Sequence, residues 1–269
     1  MRGIVININP VALKIGHFTL SWYSIIIVAA IIAAVVIGLR EGKRKGISSE
    51  IIYSLIPWVL IGCFLGARLF HVIDWWQYYA ANPLQIFAVW QGGLAIWGAL
   101  AGGVIAAIIY SRIKHISFGH LADTAVPALL VAQIIGRFAC IIDGDATGVA
   151  TGLPWGFTYI NPGSMVPQNL FGVPTQPYPV YDQLWNLVGL ALALSLRRYF
   201  KRDGLLFLSY LSFYAVGRFI LTFVRHENIW FWGLQEAQVV AIAVLAVSVA
   251  ITIYLYRRPK VNITPQTLT

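Results

Sequence analysis

Charge is scarce in this chain. Only 11% of its 269 residues are Asp, Glu, Lys or Arg, and just ten are acidic. Soluble domains carry about 25% charged residues, so neither a soluble enzyme nor a disordered tail fits. Cysteine is nearly absent as well. Cys63 and Cys140 both sit inside apolar stretches, at a spacing that suits neither a disulfide framework nor a metal knuckle. A secretory leader is also missing, because MRGIVININPVALKIGHFTLSW does not run from charged to apolar to small residues in that order. The first apolar run is therefore expected to stay in the mature protein. No Ser–His–Asp set and no His–carboxylate group has workable spacing within the apolar runs. Intramembrane proteolysis thus has weak support, and neither a metal nor an organic cofactor is implied. Without an internal repeat, inverted-repeat transporter architecture has little support.

What the chain does have is apolar residues, at 59% with a mean hydropathy of +0.74. Its ten Trp, thirteen Tyr and fourteen Phe suit side chains that sit at a lipid–water boundary. A bilayer core of about 30 Å needs about 20 apolar residues per helix. Seven runs approach that length, at about 19–39, 51–73, 94–111, 120–142, 181–196, 204–223 and 235–256, the third and fifth being short or polar-flanked. The expected fold is all-α and polytopic, a single transmembrane domain over 1–269 with about seven transmembrane helices.

The basic residues fall unevenly between these runs. Thirteen, including Arg40, Lys43, Arg44, Arg112, Arg197 and Arg257, follow spans one, three, five and seven, whereas Arg2, Lys14 and Arg225 alone lie on the other side. The positive-inside rule then predicts the N-terminus outside and the C-terminus cytoplasmic. A net charge of +9 is thereby explained by topology, and nucleic acid is not an expected partner. On this topology the connection 143–180, rich in proline and aromatics and free of Lys and Arg, is an extracytoplasmic cap loop. The aromatic stretch 74–93 is expected to lie along the membrane surface.

Three arginines remain, Arg68, Arg137 and Arg218, within or at the edge of apolar runs. A guanidinium at mid-bilayer costs about 2.5–3.5 kcal/mol on insertion scales, so it faces a polar cavity or a partner. Structural pairing with Asp123 or Asp182 is the alternative to function. Arg137 and Arg218 both lie near the outer ends of spans four and six, where they could meet at one depth. Span four ends in Asp143, Gly144 and Asp145, two carboxylates flanking a turn glycine. Acidic groups oppose the macrodipole at a helix C-terminus, so something else must hold them there. Span six carries Tyr214, Arg218, Thr222 and Arg225 at spacings that place all four near one helical face. Two guanidinium forks from different helices suit a phosphate, which points to an anionic lipid headgroup or a phosphorylated substrate. Asp182 reads as a cap at the start of span five, and Trp22 and Tyr23 as interfacial residues opening span one. The sequon at Asn262 falls on the cytoplasmic side and is discarded.

From about residue 8 to 250 the chain resembles the bacterial prolipoprotein diacylglyceryl transferase family. The likeness is carried by INPVALKIGHFTLSWYS (8–24), GARL (66–69), VWQGGLAIWGALAGG (89–103), GRFACIIDGDATG (136–148) with TGLPWG (151–156), QPYPVYD (176–182) and GRFILTFVR (217–225), in the family's order. The resemblance implies a plasma-membrane enzyme that moves a diacylglyceryl group from phosphatidylglycerol to the lipobox cysteine of a prolipoprotein, next to its signal peptide. It implies that Arg137 and Arg218 hold the phosphate, that Tyr23 lines the headgroup site and that Asp145 replaces the signature Glu. Asp143, Gly144 and Arg225 complete the expected substrate-binding set. The chain departs from the family pattern at Trp97, where a His is common, and at Cys140 and Asp143, each in place of an Asn. It also departs at Gln176 for a His and at Thr222 for a Glu. A non-catalytic binder of phosphatidylglycerol or signal peptides, and a lipid or anion transporter, are the rival readings of the same residues.

Overall fold

The computed structural model describes residues 3–16, 18–200, 202–225, 229–231 and 233–257. Arg2, Lys201, Arg258, Lys260 and the Asn262 sequon lie outside them. Each expected span is a helix: α1 (Trp22–Arg44), α2 (Ser49–Asp74), α4 (Ile96–Ile113), α5 (Phe118–Asp143), α6 (Tyr178–Leu196), α7 (Leu205–Thr222) and α8 (Glu236–Arg257). A short α3 (Trp76–Ala81) follows α2. Among the described residues, six helices are long and apolar enough to cross a bilayer, and α6 is not one of them. The reason is chemical, since Asp182, Gln183 and Asn186 fill its first half, and all three are buried. The protein is thus an all-α polytopic membrane protein, with α6 packing polar groups against protein rather than lipid.

The chain packs as two compact units, one of residues 35–125 and one of residues 1–34 with those from 126 onward. In the first unit, α2 and α4 meet along a seam of glycines. A Cβ on Gly66 would lie 2.2 Å from the Gly98 carbonyl oxygen, and one on Gly102 would lie 2.1 Å from that of Gly62. Both helices therefore carry a Gly-x-x-x-Gly repeat on their shared face, which allows backbones to touch. At the other end of the pair Tyr110 is buried and donates to the Ile51 carbonyl at 2.9 Å. Lys45 pairs with Asp123 at 3.5 Å. Among the described residues, Arg68 forms no ion pair. Its guanidinium donates to the carbonyls of Gln85, Ile86, Gly92 and Gly93 at 2.6–2.9 Å, pinning the aromatic segment that follows α3. Leu84, Phe87 and Trp90 of that segment are all exposed, as are Trp75 and Trp76 at the start of α3.

In the second unit, α5, α6 and α7 pack around Val126, Leu130, Ala193, Leu206 and Tyr210. Gly217 lets α7 approach α6, because a Cβ there would meet the Trp185 indole nitrogen at 2.0 Å. Trp185 stacks on Phe213 with ring centroids 4.6 Å apart. The connection between α5 and α6 is folded. Its strand β4 (Phe157–Tyr159) pairs in parallel with β1 (Ile4–Ile6), and Tyr159, Val166 and Leu170 form a small core beneath them. Residues 11–15 and 18–21 form the hairpin β2–β3 just ahead of α1.

Candidate functional site

Helix α5 ends at Asp143, and Gly144 turns the chain with φ +74°, its N–H donating to the Cys140 carbonyl at 2.9 Å. Only glycine fits there, since a Cβ would also lie 2.5 Å from the Val166 side chain. The segment that follows is sewn to its neighbours through the backbone. Val149 N donates to Val224 O and Gln176 N to Val149 O, both at 2.9 Å. These bonds draw the ends of α5, α6 and α7 together, and three arginines arrive at one place.

Tyr178, the first residue of α6, lies at their centre and is fully buried. The guanidinium carbons of Arg137, Arg218 and Arg225 stand 5.6, 5.9 and 5.1 Å from its ring centroid. Arg218 also donates a hydrogen bond to the Tyr178 hydroxyl. A cation over an aromatic face gains about 0.5–2 kcal/mol, which offsets part of the mutual repulsion of the three charges. The expectation that Arg137 and Arg218 meet is met through this ring. Arg225 does not belong to the helical face assigned to it. α7 stops at Thr222, and Arg225 follows a turn and bridges to Gly148.

Arg137 pairs with Asp182, whose carboxylate also accepts from Asn186 at 3.3 Å. Asp182 is therefore no helix cap. α6 starts four residues earlier, with Pro177 at the cap position, so the acid sits a turn inside the helix. Breaking a buried pair from one side costs about 3–5 kcal/mol. Asp182→Ala is accordingly expected to lower the thermal midpoint in detergent sharply, whereas Asp182→Asn, which keeps an acceptor for Arg137, loses less.

The acidic side of the site adjoins Arg137 through Cys140, whose sulfur accepts from Arg137 Nη1 at 3.6 Å. Cys140 is a buried free thiol. Asp145 is exposed and lies within electrostatic reach of Cys140, Tyr159 and Tyr23. Burial, reinforced by the Asp145 charge, pushes the Tyr159 phenol up, so it stays protonated at neutral pH. Asp143 is 6% exposed, and its Oδ1 is buried without a hydrogen-bond partner among the described residues. Such an orphaned acceptor is uncommon in a native interior and marks a place where a donor from outside can be received. Tyr23, in the first turn of α1, is half-exposed and feels Asp145, Cys140, Asp143 and Arg137.

All seven expected site residues thus belong to one unit, in two groups joined by Arg137 and Cys140. Sequence reasoning missed Tyr178, whereas the Arg137–Asp182 bond is one of the structural pairings it left open. Gln176 forms a separate chain, accepting from the Tyr181 hydroxyl at 2.7 Å, which in turn accepts from the Trp155 indole at 3.0 Å. Trp97 lies in the first turn of α4, in the other unit.

Residues 10–254 match the family described as prolipoprotein diacylglyceryl transferase. The chain belongs to that family. It is 36% identical over 256 residues to the phosphatidylglycerol–prolipoprotein diacylglyceryl transferase of Listeria welshimeri, covering 95% of this chain and 92% of that protein. The protein of the same name from Lysinibacillus sphaericus is 35% identical over 266 residues, 97% of each chain. That of Limosilactobacillus reuteri is 34% identical over 265 residues, 96% of this chain and 94% of its own. Family membership accounts for the order of the blocks that hold Arg137, Arg218 and Arg225, while their contacts with Tyr178 are read from the structure.

Proposed function

We propose that the protein transfers the diacylglyceryl group of phosphatidylglycerol to the lipobox cysteine thiol of prolipoproteins in the bacterial plasma membrane. The observation that carries this reading is the convergence of Arg137, Arg218 and Arg225 on Tyr178 at the edge of an apolar helical unit. Guanidinium forks there would hold the phosphodiester and stabilise the charge that grows on it as it leaves, in surroundings of low dielectric. The acceptor sulfur attacks the glycerol carbon that bears the phosphate. A C–S bond forms, the C–O bond breaks, and glycerol phosphate departs with both electrons of that bond.

The thiol proton must go elsewhere. A cysteine of ordinary pKa, about 8.5, is a few per cent thiolate at pH 7, and nearby guanidiniums raise that fraction. Asp143, with its orphaned oxygen, and Asp145, exposed beside Cys140, are the groups proposed to accept the proton. An indole donates but does not accept, so Trp97 is given no role as a base. Tyr23 and the Gly144 turn are proposed to line the headgroup site.

The charge asymmetry of the loops favours an N-terminus outside, a cytoplasmic C-terminus and a site open to the outer leaflet. The β1–β4 pairing supports the same arrangement, because four candidate spans separate the two strands and an even number of crossings returns the chain to one side.

The test is a reconstitution in phosphatidylglycerol liposomes with a lipobox peptide, read by mass spectrometry for the diacylglyceryl adduct. A thioether adduct on the wild-type peptide, absent from its Cys→Ser counterpart, is the expected result. No adduct, with a His-bearing relative active alongside and lipid binding intact, would make this chain a non-catalytic binder.

A further inference from the structure

In the first unit, two polar side chains with unmet bonding capacity border one cavity of about 180 Å3. One is the buried Arg68, whose four hydrogen bonds all go to carbonyl oxygens and which forms no ion pair among the described residues. The other is Gln85, whose side-chain oxygen is buried and accepts no hydrogen bond among the described residues. We propose that this cavity is a phospholipid-headgroup site, taking a phosphodiester that ends in an N–H or O–H donor.

The two groups ask for opposite things. Carbonyl dipoles satisfy N–H groups but bring no net charge, so a buried guanidinium held only by them still favours an anion. Its five N–H groups against four bonds leave at least one donor over. An orphaned buried acceptor calls for a donor. A ligand that answers both carries anionic oxygen at one end and an N–H or O–H at the other. Phosphoethanolamine and phosphoglycerol headgroups have that layout. His71, Tyr78 and Tyr79 add hydrogen-bonding side chains to the wall, and the Arg68 guanidinium carbon stands 5.2 Å from the Tyr79 ring centroid.

Two glycines keep the wall open. Gly92 and Gly93 have φ of +89° and +80°, and both carbonyls accept from Arg68 Nη1. A Cβ on Gly93 would stand 2.6 Å from the His71 ring and 2.7 Å from Arg68 Nη1. The surroundings of the cavity point to a lipid as the source of the headgroup. Residues 75–93 contain no charged side chain. Leu84, Phe87 and Trp90 are exposed there, as are Leu69 and Ile73 on α2 and Ile96 and Leu100 on α4. The polar cavity is thus set among apolar surface at the ends of two candidate spans, where acyl chains find cover and a soluble phosphate ester gains nothing.

The experiment titrates full-length wild type and Gln85→Leu in detergent with dihexanoyl phosphatidylethanolamine, followed by calorimetry. The comparison probes are dihexanoyl phosphatidylcholine, whose quaternary nitrogen has no N–H, and free phosphoethanolamine. Wild type is expected to bind the amine lipid about tenfold more tightly than the choline lipid, the effect of one charge-assisted hydrogen bond. Gln85→Leu removes the side-chain acceptor and keeps the backbone carbonyl that Arg68 holds. It should weaken the amine lipid about tenfold and erase its preference over choline. Arg218→Ala should bind the amine lipid within twofold of wild type, because Arg218 belongs to the other unit.

Equal binding of the amine and choline lipids to wild type would overturn the proposal, as would an unchanged affinity in Gln85→Leu. Loss of binding in Arg218→Ala would do the same, by assigning the lipid to the arginine site. Free phosphoethanolamine that binds as tightly as the lipid would overturn the choice of a lipid as occupant. No readout requires turnover, so the result stands apart from the transferase reading.

Discussion

Arg218→Ala is expected to lower thioether formation by about 10²–10³-fold, the usual loss when one donor to a developing oxyanion is removed. Arg137 is bonded to the buried Asp182, so its removal strands a carboxylate and mixes a folding defect with a chemical one. Arg218 is bonded to the neutral Tyr178 hydroxyl. The thermal midpoint of Arg218→Ala is measured alongside, so that the loss of rate is read per folded protein. Arg218→Lys should recover a minor part of the rate, because an ammonium supplies charge but not a planar fork. The measurement is initial adduct formation per folded protein at saturating phosphatidylglycerol, and full activity in Arg218→Ala would make the assignment wrong.

The second large effect concerns folding and lies in the α2–α4 seam. Gly98→Val should leave little folded protein, as its Cβ would stand 2.2 Å from the Gly66 carbonyl oxygen and 2.4 Å from the Phe70 Cβ. Overpacking usually costs about 1–3 kcal/mol, and here the obstacle is backbone, which cannot rotate away. A loss of at least about 3 kcal/mol is expected, seen as a collapse of the monodisperse peak in size-exclusion chromatography. Gly38→Ala serves as the control. No heavy atom lies within 4 Å of a Cβ there, and a helical Gly→Ala change should stabilise by up to about 1 kcal/mol.

Where the sequence was informative, physics made it so. An arginine inside an apolar run is costly, which singled out Arg137 and Arg218 before their contacts were known. Asp143, Gly144 and Asp145 were legible as a polar turn at a helix end for the same reason. What stayed hidden depended on chain reversals. Tyr178 sits among prolines and aromatics, like many interfacial tyrosines, and only the meeting of α5, α6 and α7 gives it three cationic neighbours. Asp182 looked like a cap because the apolar run begins beside it, whereas the helix begins at Tyr178. Hydropathy also hid the nature of α6, whose apolar second half follows buried Asp182, Gln183 and Asn186. The Gly-x-x-x-Gly repeats at Gly62–Gly66 and Gly98–Gly102 were open to view in the chain and carried the α2–α4 packing. For Arg68 the sequence left open a polar cavity or an ion pair with Asp123 or Asp182. Carbonyls from two turns that no periodicity marks are its partners.

The parallel pairing of Ile4–Ile6 with Phe157–Tyr159 has a consequence for biosynthesis. The partner strand is made about 150 residues later, after four candidate spans. At a synthesis rate of about 5–20 residues per second, the first strand waits roughly eight to thirty seconds for its mate. Throughout that interval its exposed backbone edge is open to other chains at the translocation site. The connection between α5 and α6 can complete its strand pairing only once both ends of this long circuit have reached the same face of the bilayer. The ribosome's schedule is thus written into the site, which becomes complete late in synthesis, when α7 and the turn after it deliver Arg218 and Arg225.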